Sequence, residues 1–210
     1  MVSPVSVKPI VHVVDDDDSL RKAVTRLLRA AGYDVRAYAS SGDFALANRE
    51  NNRRGCLLLD VRMPGPSGLD LQEALAREEE PLPIIFLTAH GDIPTTVRAM
   101  KAGAVDFLTK PIKRDVLLNA VRSALARDVR AHTSREQLRD LRARFAKLTP
   151  REREVFDLVV AGRLNKQIAA ELGMAERTVK AHRGQVMAKM QVTSLAELVH
   201  LADKMQSAHS

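Results

Sequence analysis

Cysteine is almost absent: the 210 residues contain one, Cys56. A lone thiol excludes an internal disulfide framework and fits a reducing compartment. Cys56 follows "NNRRG" and opens the apolar run "CLLLD", so a buried structural thiol is expected rather than a nucleophile. No apolar run approaches the roughly 18 residues of a membrane span. The opening segment "MVSPVSVKPI" lacks the charged-then-apolar pattern of a secretory signal. These absences lead us to expect a soluble, cytoplasmic protein with no membrane partner.

What is present is ordinary in bulk and uneven in detail. Apolar residues make up 45% of the chain and charged residues 28%, the proportions of a soluble globular protein. The length suits one large or two modest domains. The net charge of +7 leans toward a polyanionic partner. Residues 1–125 contribute only +1, whereas 126–144 and 145–210 contribute +3 each. The basic excess therefore sits in the last two-fifths of the chain.

Short apolar runs alternate with helical patterns up to residue 125. Strands are expected at Ile10–Val14, Asp34–Tyr38, Cys56–Leu59, Ile84–Thr88 and Asp106–Thr109. Between them lie amphipathic stretches such as "SLRKAVTRLLRAAG", whose Leu20, Val24, Leu27 and Leu28 keep the rhythm of a core-facing helix. "SSGDFALANR", "SGLDLQEALAREEE", "DIPTTVRAMKAG" and "DVLLNAVRSALAR" complete the set. Five such βα pairs imply a doubly wound parallel sheet, with the apolar third and fourth strands central.

Four of these strands end in reactive polar residues: Asp15 and Asp16, Asp60, Thr88, and Lys110. In an open parallel sheet those ends share one rim, and ligands bind there beside the switch in strand order. With order 2-1-3-4-5, the first and third strands would be neighbours at that switch. Several carboxylates in one cleft would raise one another's pKa unless a cation joined them. Hard oxygen ligands suit Mg²⁺, with Mn²⁺ as its substitute. Lys110 and Thr88 would serve a phosphoryl oxygen, so the set reads as a phosphoryl-acceptor site. In "VHVVDDDD" the first acidic pair would then serve the metal, while Asp17 or Asp18 would cap the next helix.

The segments "VVDDDDSLR", "LLLDVRMPGPSGLDL", "IIFLTAHGD" and "AGAVDFLTKPI" resemble the signatures of the response-regulator receiver domain, over residues 8–127. The resemblance implies a flavodoxin-like (βα)5 fold and phosphorylation of Asp60 by a sensor histidine kinase. It implies that Asp15, Asp16, Asp60 and the backbone carbonyl of Arg62 hold the metal, and that the Lys110–Pro111 bond is cis. Phe107 stands where many receivers carry a switch tyrosine. It can still rotate as a switch, without a hydroxyl, or serve as plain core. His12 and His90 lack partners at a metal-ligand spacing and are expected to be structural or superficial. A rival reading is an aspartate-nucleophile phosphatase of the haloacid-dehalogenase kind. That chemistry needs a second acid two residues after the nucleophile, where this chain has Arg62. The chain is therefore expected not to be an enzyme beyond slow self-dephosphorylation. A second rival is a DNA-binding protein whose receiver has become a mere scaffold; the complete Asp15, Asp16, Asp60, Thr88 and Lys110 set argues against it.

Beyond residue 125 no strand pattern or repeat occurs. Residues 126–145 read as a helical linker continuing the fifth helix, with Val129, Leu138, Leu141 and Phe145 as its apolar stripe. From residue 146 four helices are expected. Thr149, Pro150 and Glu152 compose a capping box at the start of the first, and Gly173 turns the second into the third. "LTPRE", "NKQIA", "TVKAHR" and "KM" resemble the LuxR/NarL/FixJ helix-turn-helix. That resemblance implies a DNA-binding domain over 146–210, with contacts from Asn165, Lys166, Arg177, Thr178, Lys180, Ala181, Arg183, Gly184 and Lys189. Val179, His182, Val186 and Met190 would pack inward. As a whole the chain resembles FixJ-type transcription factors, including StyR-like regulators of aromatic-compound catabolism. Phosphorylation would then drive a homodimer onto a two-fold DNA operator, with RNA polymerase as a further contact.

Overall fold

The computed structural model describes residues 8–48, 54–78, 80–89 and 93–207. Five strands form one parallel sheet in the order β2-β1-β3-β4-β5: β1 (Ile10–Val14), β2 (Asp34–Tyr38), β3 (Gly55–Asp60), β4 (Ile84–Thr88) and β5 (Asp106–Thr109). This is the flavodoxin-like order, with the switch between β1 and β3. Every residue of β3 and β4 is buried, because helices cover both faces of the sheet centre. Two cores result. Val11, Val13, Leu58, Ile85 and Leu87 pack against Val24, Leu28 and Val121 on one face. Phe44, Leu57, Leu59, Phe86 and Ala99 fill the other.

Helix α1 (Asp18–Ala30) buries Val24 and Leu28, and Asp17 caps it by accepting from the N–H groups of Ser19 and Leu20. Helix α2 spans Ser41–Ala47. Helix α3 stops at Leu75, well before the acidic tract that the sequence pattern carried to residue 80. Glu78 to Glu80 would place like charges at the negative end of a helix, so the chain turns after Leu75 through shorter bonds, Arg77 N–H to Ala74 and Glu78 N–H to Leu75. Helix α4 is Ile93–Lys101.

Two close backbone approaches demand glycine. A Cβ on Gly55 would lie 1.8 Å from the Ile10 carbonyl oxygen, and Gly55 has φ +134°. A Cβ on Gly68, at the start of α3, would lie 2.2 Å from the Asp60 carbonyl oxygen. The second brings α3 directly against the end of β3.

Helix α5 runs unbroken from Arg114 to Ala146, free of glycine and proline. The chain divides into two compact units, 1–131 and 132–210, so α5 belongs to both. The stretch read as a linker is accordingly shared out. Asp128 is buried in the first unit, where its carboxylate accepts from Arg54 Nε at 2.9 Å. Leu141 is buried in the second, against Leu148 and Val155. Val129, expected on the apolar stripe, is exposed; the neighbouring position that turns inward carries Asp128.

The second unit continues with α6 (Pro150–Val160), α7 (Asn165–Leu172), α8 (Glu176–Met190) and α9 (Leu195–Ser207). The capping box forms as its residues dictate: Thr149 Oγ1 accepts from Glu152 N–H, and the Glu152 carboxylate accepts from Thr149 N–H at 2.7 Å. Gly173 is left-handed between α7 and α8. Among the described residues no helix is long and apolar enough to cross a membrane.

Candidate functional site

The rim at the C-terminal ends of β1, β3, β4 and β5 gathers Asp15, Asp60, Thr88 and Lys110. Asp15 and Asp60 leave adjacent parallel strands, and both are buried, as is Thr88. The Lys110 ammonium lies between the two carboxylates, 2.8 Å from Asp15 Oδ2 and 2.7 Å from Asp60 Oδ1. Backbone donors hold the other oxygens: Asp17 N–H reaches Asp15 Oδ1 at 2.9 Å, and Arg62 N–H reaches Asp60 Oδ2 at 3.0 Å. The Lys110 N–H donates to the Thr88 carbonyl at 2.7 Å, which ties the lysine loop to the end of β4. The Lys110–Pro111 peptide is cis.

Burial pushes the Asp60 carboxyl above its ordinary range, and nearby Asp15 adds to the rise; hydrogen bonding to Lys110 opposes both without cancelling them. Burial alone would lower Lys110, but its hydrogen bonds to Asp15 and Asp60 outweigh that and raise it. The site thus holds two acids against one base. Among the described residues, no three of His, Cys, Asp and Glu stand together as a ready cage for a metal. Of the expected metal set, Asp16 is exposed and follows buried Asp15 in the chain, and the Lys110 ammonium lies between Asp15 and Asp60.

Of the four consecutive aspartates, each has its own surroundings. Asp15 is buried, Asp16 faces water, Asp17 caps α1, and Asp18 pairs with Arg21 and Lys22 at 2.7 Å each. Arg21 was not foreseen. Its guanidinium donates to the Asp15 and Asp16 carbonyls at 2.7 and 3.3 Å, so it spans the acidic loop from behind. The i, i+3 spacing from Asp18 was its only sequence signal.

Phe107 is half-buried, its ring 6.1 Å from that of Phe86. His12 is buried between Tyr38 and Phe44, with Nδ1 3.2 Å from the Tyr38 hydroxyl. His90 lies outside the described residues. Cys56 is buried, and burial drives its thiol pKa up to about 12, which removes it as a nucleophile at neutral pH.

In the helical unit, α8 turns Val179, Val186 and Met190 into the core, while His182 is half-buried. Arg177, Thr178, Lys180, Ala181 and Gly184 remain exposed, as do Asn165's neighbour Lys166 and, unforeseen, Gln185. Two cations expected to face outward are engaged within the unit. The Lys189 ammonium lies 2.8 and 2.6 Å from the two oxygens of buried Glu152, a strut between α8 and α6. Arg183 donates to Asn165 Oδ1 at 2.7 Å, linking α8 to α7. The pairing of Glu152 with Lys189 crosses 37 residues and left no local signal.

A buried acid pair at the switch point of a 2-1-3-4-5 sheet, followed by a helix-turn-helix, agrees with what comparison returns. Residues 11–122 match the response regulator receiver domain, and residues 146–202 match the luxR family of bacterial regulatory proteins. The chain belongs to the FixJ family of response regulators. Among proteins similar to this response regulator is nodulation protein W of Bradyrhizobium diazoefficiens, 50% identical over 94% of this chain and 87% of that protein. The regulatory protein FixJ of Rhizobium meliloti is 43% identical over 91% of this chain and 94% of its own. The solved structure of the response regulator StyR is 49% identical with a TM-score of 0.83, covering 94% of this chain and all of that one. This response regulator thus carries a receiver and a LuxR-type DNA-binding domain, an architecture that regulates transcription and implies a histidine kinase and DNA as partners.

Proposed function

We propose that Asp60 accepts a phosphoryl group from a partner histidine kinase, and that this modification controls how the helical unit pairs on an operator. The observation that carries the reading is the Asp60 carboxylate itself. It ends a fully buried strand, faces the rim, and shares one lysine with Asp15. In the transfer an Asp60 oxygen forms the new O–P bond, the donor's P–N bond breaks, and the departing histidine takes a proton. One Asp60 oxygen then bridges to phosphorus in the acyl phosphate, which leaves Lys110 free to pass to a phosphoryl oxygen. Thr88 contributes its hydroxyl from the adjacent strand end.

Mg²⁺ suits the donor set. It takes one or two carboxylates and keeps waters and phosphate oxygens for the rest, so Asp15 and Asp60 suffice from the protein, with Asp16 and the Arg62 carbonyl beside them. When bound, the ion neutralises the excess acid and the charge of the incoming phosphoryl group. Mn²⁺ would substitute.

Movement of Thr88 and Lys110 toward phosphate would shift Phe107 against Phe86 and alter the surface of α4 and the first turns of α5. Ile93, Val97 and Met100 leave apolar side chains exposed on α4. A homodimer through that surface would present two copies of α8 to a two-fold site. To carry a 1:99 equilibrium to its inverse, phosphorylation must favour the active form by about 5.5 kcal/mol. Dimerisation supplies part of that sum. The same reading places the protein in the cytoplasm, with RNA polymerase as a downstream contact and with turnover limited to slow loss of its own phosphate.

The test is labelling of the full chain by acetyl phosphate with Mg²⁺, read by intact mass, for the wild type and Asp60→Asn. Wild-type labelling that vanishes in the variant is the expected result. Equal labelling of the two would refute the acceptor assignment.

A further inference from the structure

The outward face of α8 has a definite chemistry once burial is taken into account. Helical geometry places Arg177, Ala181, Gly184 and Ala188 on one line, at intervals of four, three and four residues, and all four are exposed. Past Arg177 that line carries nothing larger than a methyl group. Lys180 flanks it on one side, Thr178 and Gln185 on the other, and these too are exposed. Arg183 and Lys189 lie round toward the core and are held by Asn165 and Glu152. The middle of the face is thus low, with long polar side chains only along its margins.

A helix of this profile can lie close to base edges, and reading falls to the few side chains at its edges. Among the described residues none hydrogen-bonds the Gln185 carboxamide. An amide offers one donor and one acceptor side by side, the pattern that meets the N7 acceptor and N6 donor of adenine in the major groove. Gln185 stands about 12 Å along the axis from Arg177, at about 1.5 Å per residue.

We infer that Gln185 selects adenine at one position of each operator half-site, distinct from the position that faces Arg177. The inference rests on α8 being the helix that enters the groove. It adds a neutral amide to a face whose other long polar side chains, Arg177 and Lys180, are cations.

The test is selection of random duplexes by the full-length chain treated with acetyl phosphate and Mg²⁺, for the wild type, Gln185→Ala and Gln185→Glu. Both substitutions fall on an exposed position in mid-helix, where alanine and glutamate are good helix formers. The wild type should enrich a half-site with adenine at one fixed position. In Gln185→Ala that preference should fall by about 5- to 150-fold, with the slope of log affinity against log salt unaltered, because no charge is removed. Gln185→Glu should favour cytosine at the same position, since its N4 amine donates to a carboxylate. Identical base preferences in the wild type and Gln185→Ala would overturn the inference while leaving DNA binding intact. A wild-type chain that enriches no sequence would overturn the reading of α8 itself, and the role of Gln185 with it.

Discussion

Each unit of this protein buries a carboxylate against a lysine, and the two clusters differ in their charge balance. In the helical unit one carboxylate, Glu152, meets one ammonium, Lys189, and also accepts from the Thr149 N–H. In the sheet unit one ammonium, Lys110, is divided between Asp15 and Asp60. The first cluster is neutral and complete. The second keeps an excess negative charge. Their titration follows: hydrogen bonding to Lys189 holds Glu152 below the ordinary glutamate range, whereas burial carries Asp60 above the ordinary aspartate range in spite of Lys110. A balanced pair stabilises a fold and offers nothing to a ligand. An unbalanced one attracts a cation and has a carboxylate to spare.

If that distinction holds, disturbing the two lysines should have different consequences. Beyond the complete loss of labelling in Asp60→Asn, the largest effect should come from Lys110→Ala, with labelling by acetyl phosphate slowed about 100- to 1,000-fold. Lys110 lowers Asp60, so its removal should also move the acid limb of the rate profile to higher pH. An unchanged limb would mean that the ammonium does not govern the acceptor. Lys189→Met should instead cost the helical unit about 2 kcal/mol in urea unfolding, by stripping a buried carboxylate of its charged partner. Because Glu152 titrates lower when folded, its pair contributes stability above the ordinary glutamate range, and that stability is lost as pH falls through the depressed value. The variant should therefore lose less stability on acidification than the wild type. Thr149→Ala removes the hydroxyl of the capping box and should cost about 1 kcal/mol in the same measurement. The smallest effect belongs to Lys166→Ala. If its exposed amine meets a phosphate, the slope of log affinity against log salt should flatten by about 0.9, with base preferences unchanged.

Local chemistry was legible and distant pairing was not. All five strands lie within one residue of where apolar runs and breakers placed them, because buried parallel strands leave an unmistakable pattern. Strand-end residues predicted which side chains share the rim. Thr149 and Glu152 are three apart and could be read as a box. By contrast, the Arg54–Asp128 pair spans 74 residues and joins two segments that both look like charged surface. No local rule separates a buried Asp128 from an exposed Val129, since the side of α5 that meets the sheet is decided by packing. Charge alone does not reveal that Lys189 is engaged within the unit, because its partner, Glu152 on α6, lies 37 residues away. Gln185 escaped notice because a neutral amide adds nothing to a count of charges. The order of the sheet was legible only with the resemblance, and α3 ends at Leu75, where its apolar residues run out before the acidic tract.

The division of labour along α8 has an evolutionary reach. Val179, Val186, Met190 and Lys189 keep the helix in place, while Arg177, Lys180 and Gln185 are exposed and, among the described residues, make no hydrogen bond or ion pair. Mutation can rewrite the second group and leave thermal tolerance where it was. Descendants of such a gene could acquire new target promoters one substitution at a time, each intermediate still a sound, foldable molecule.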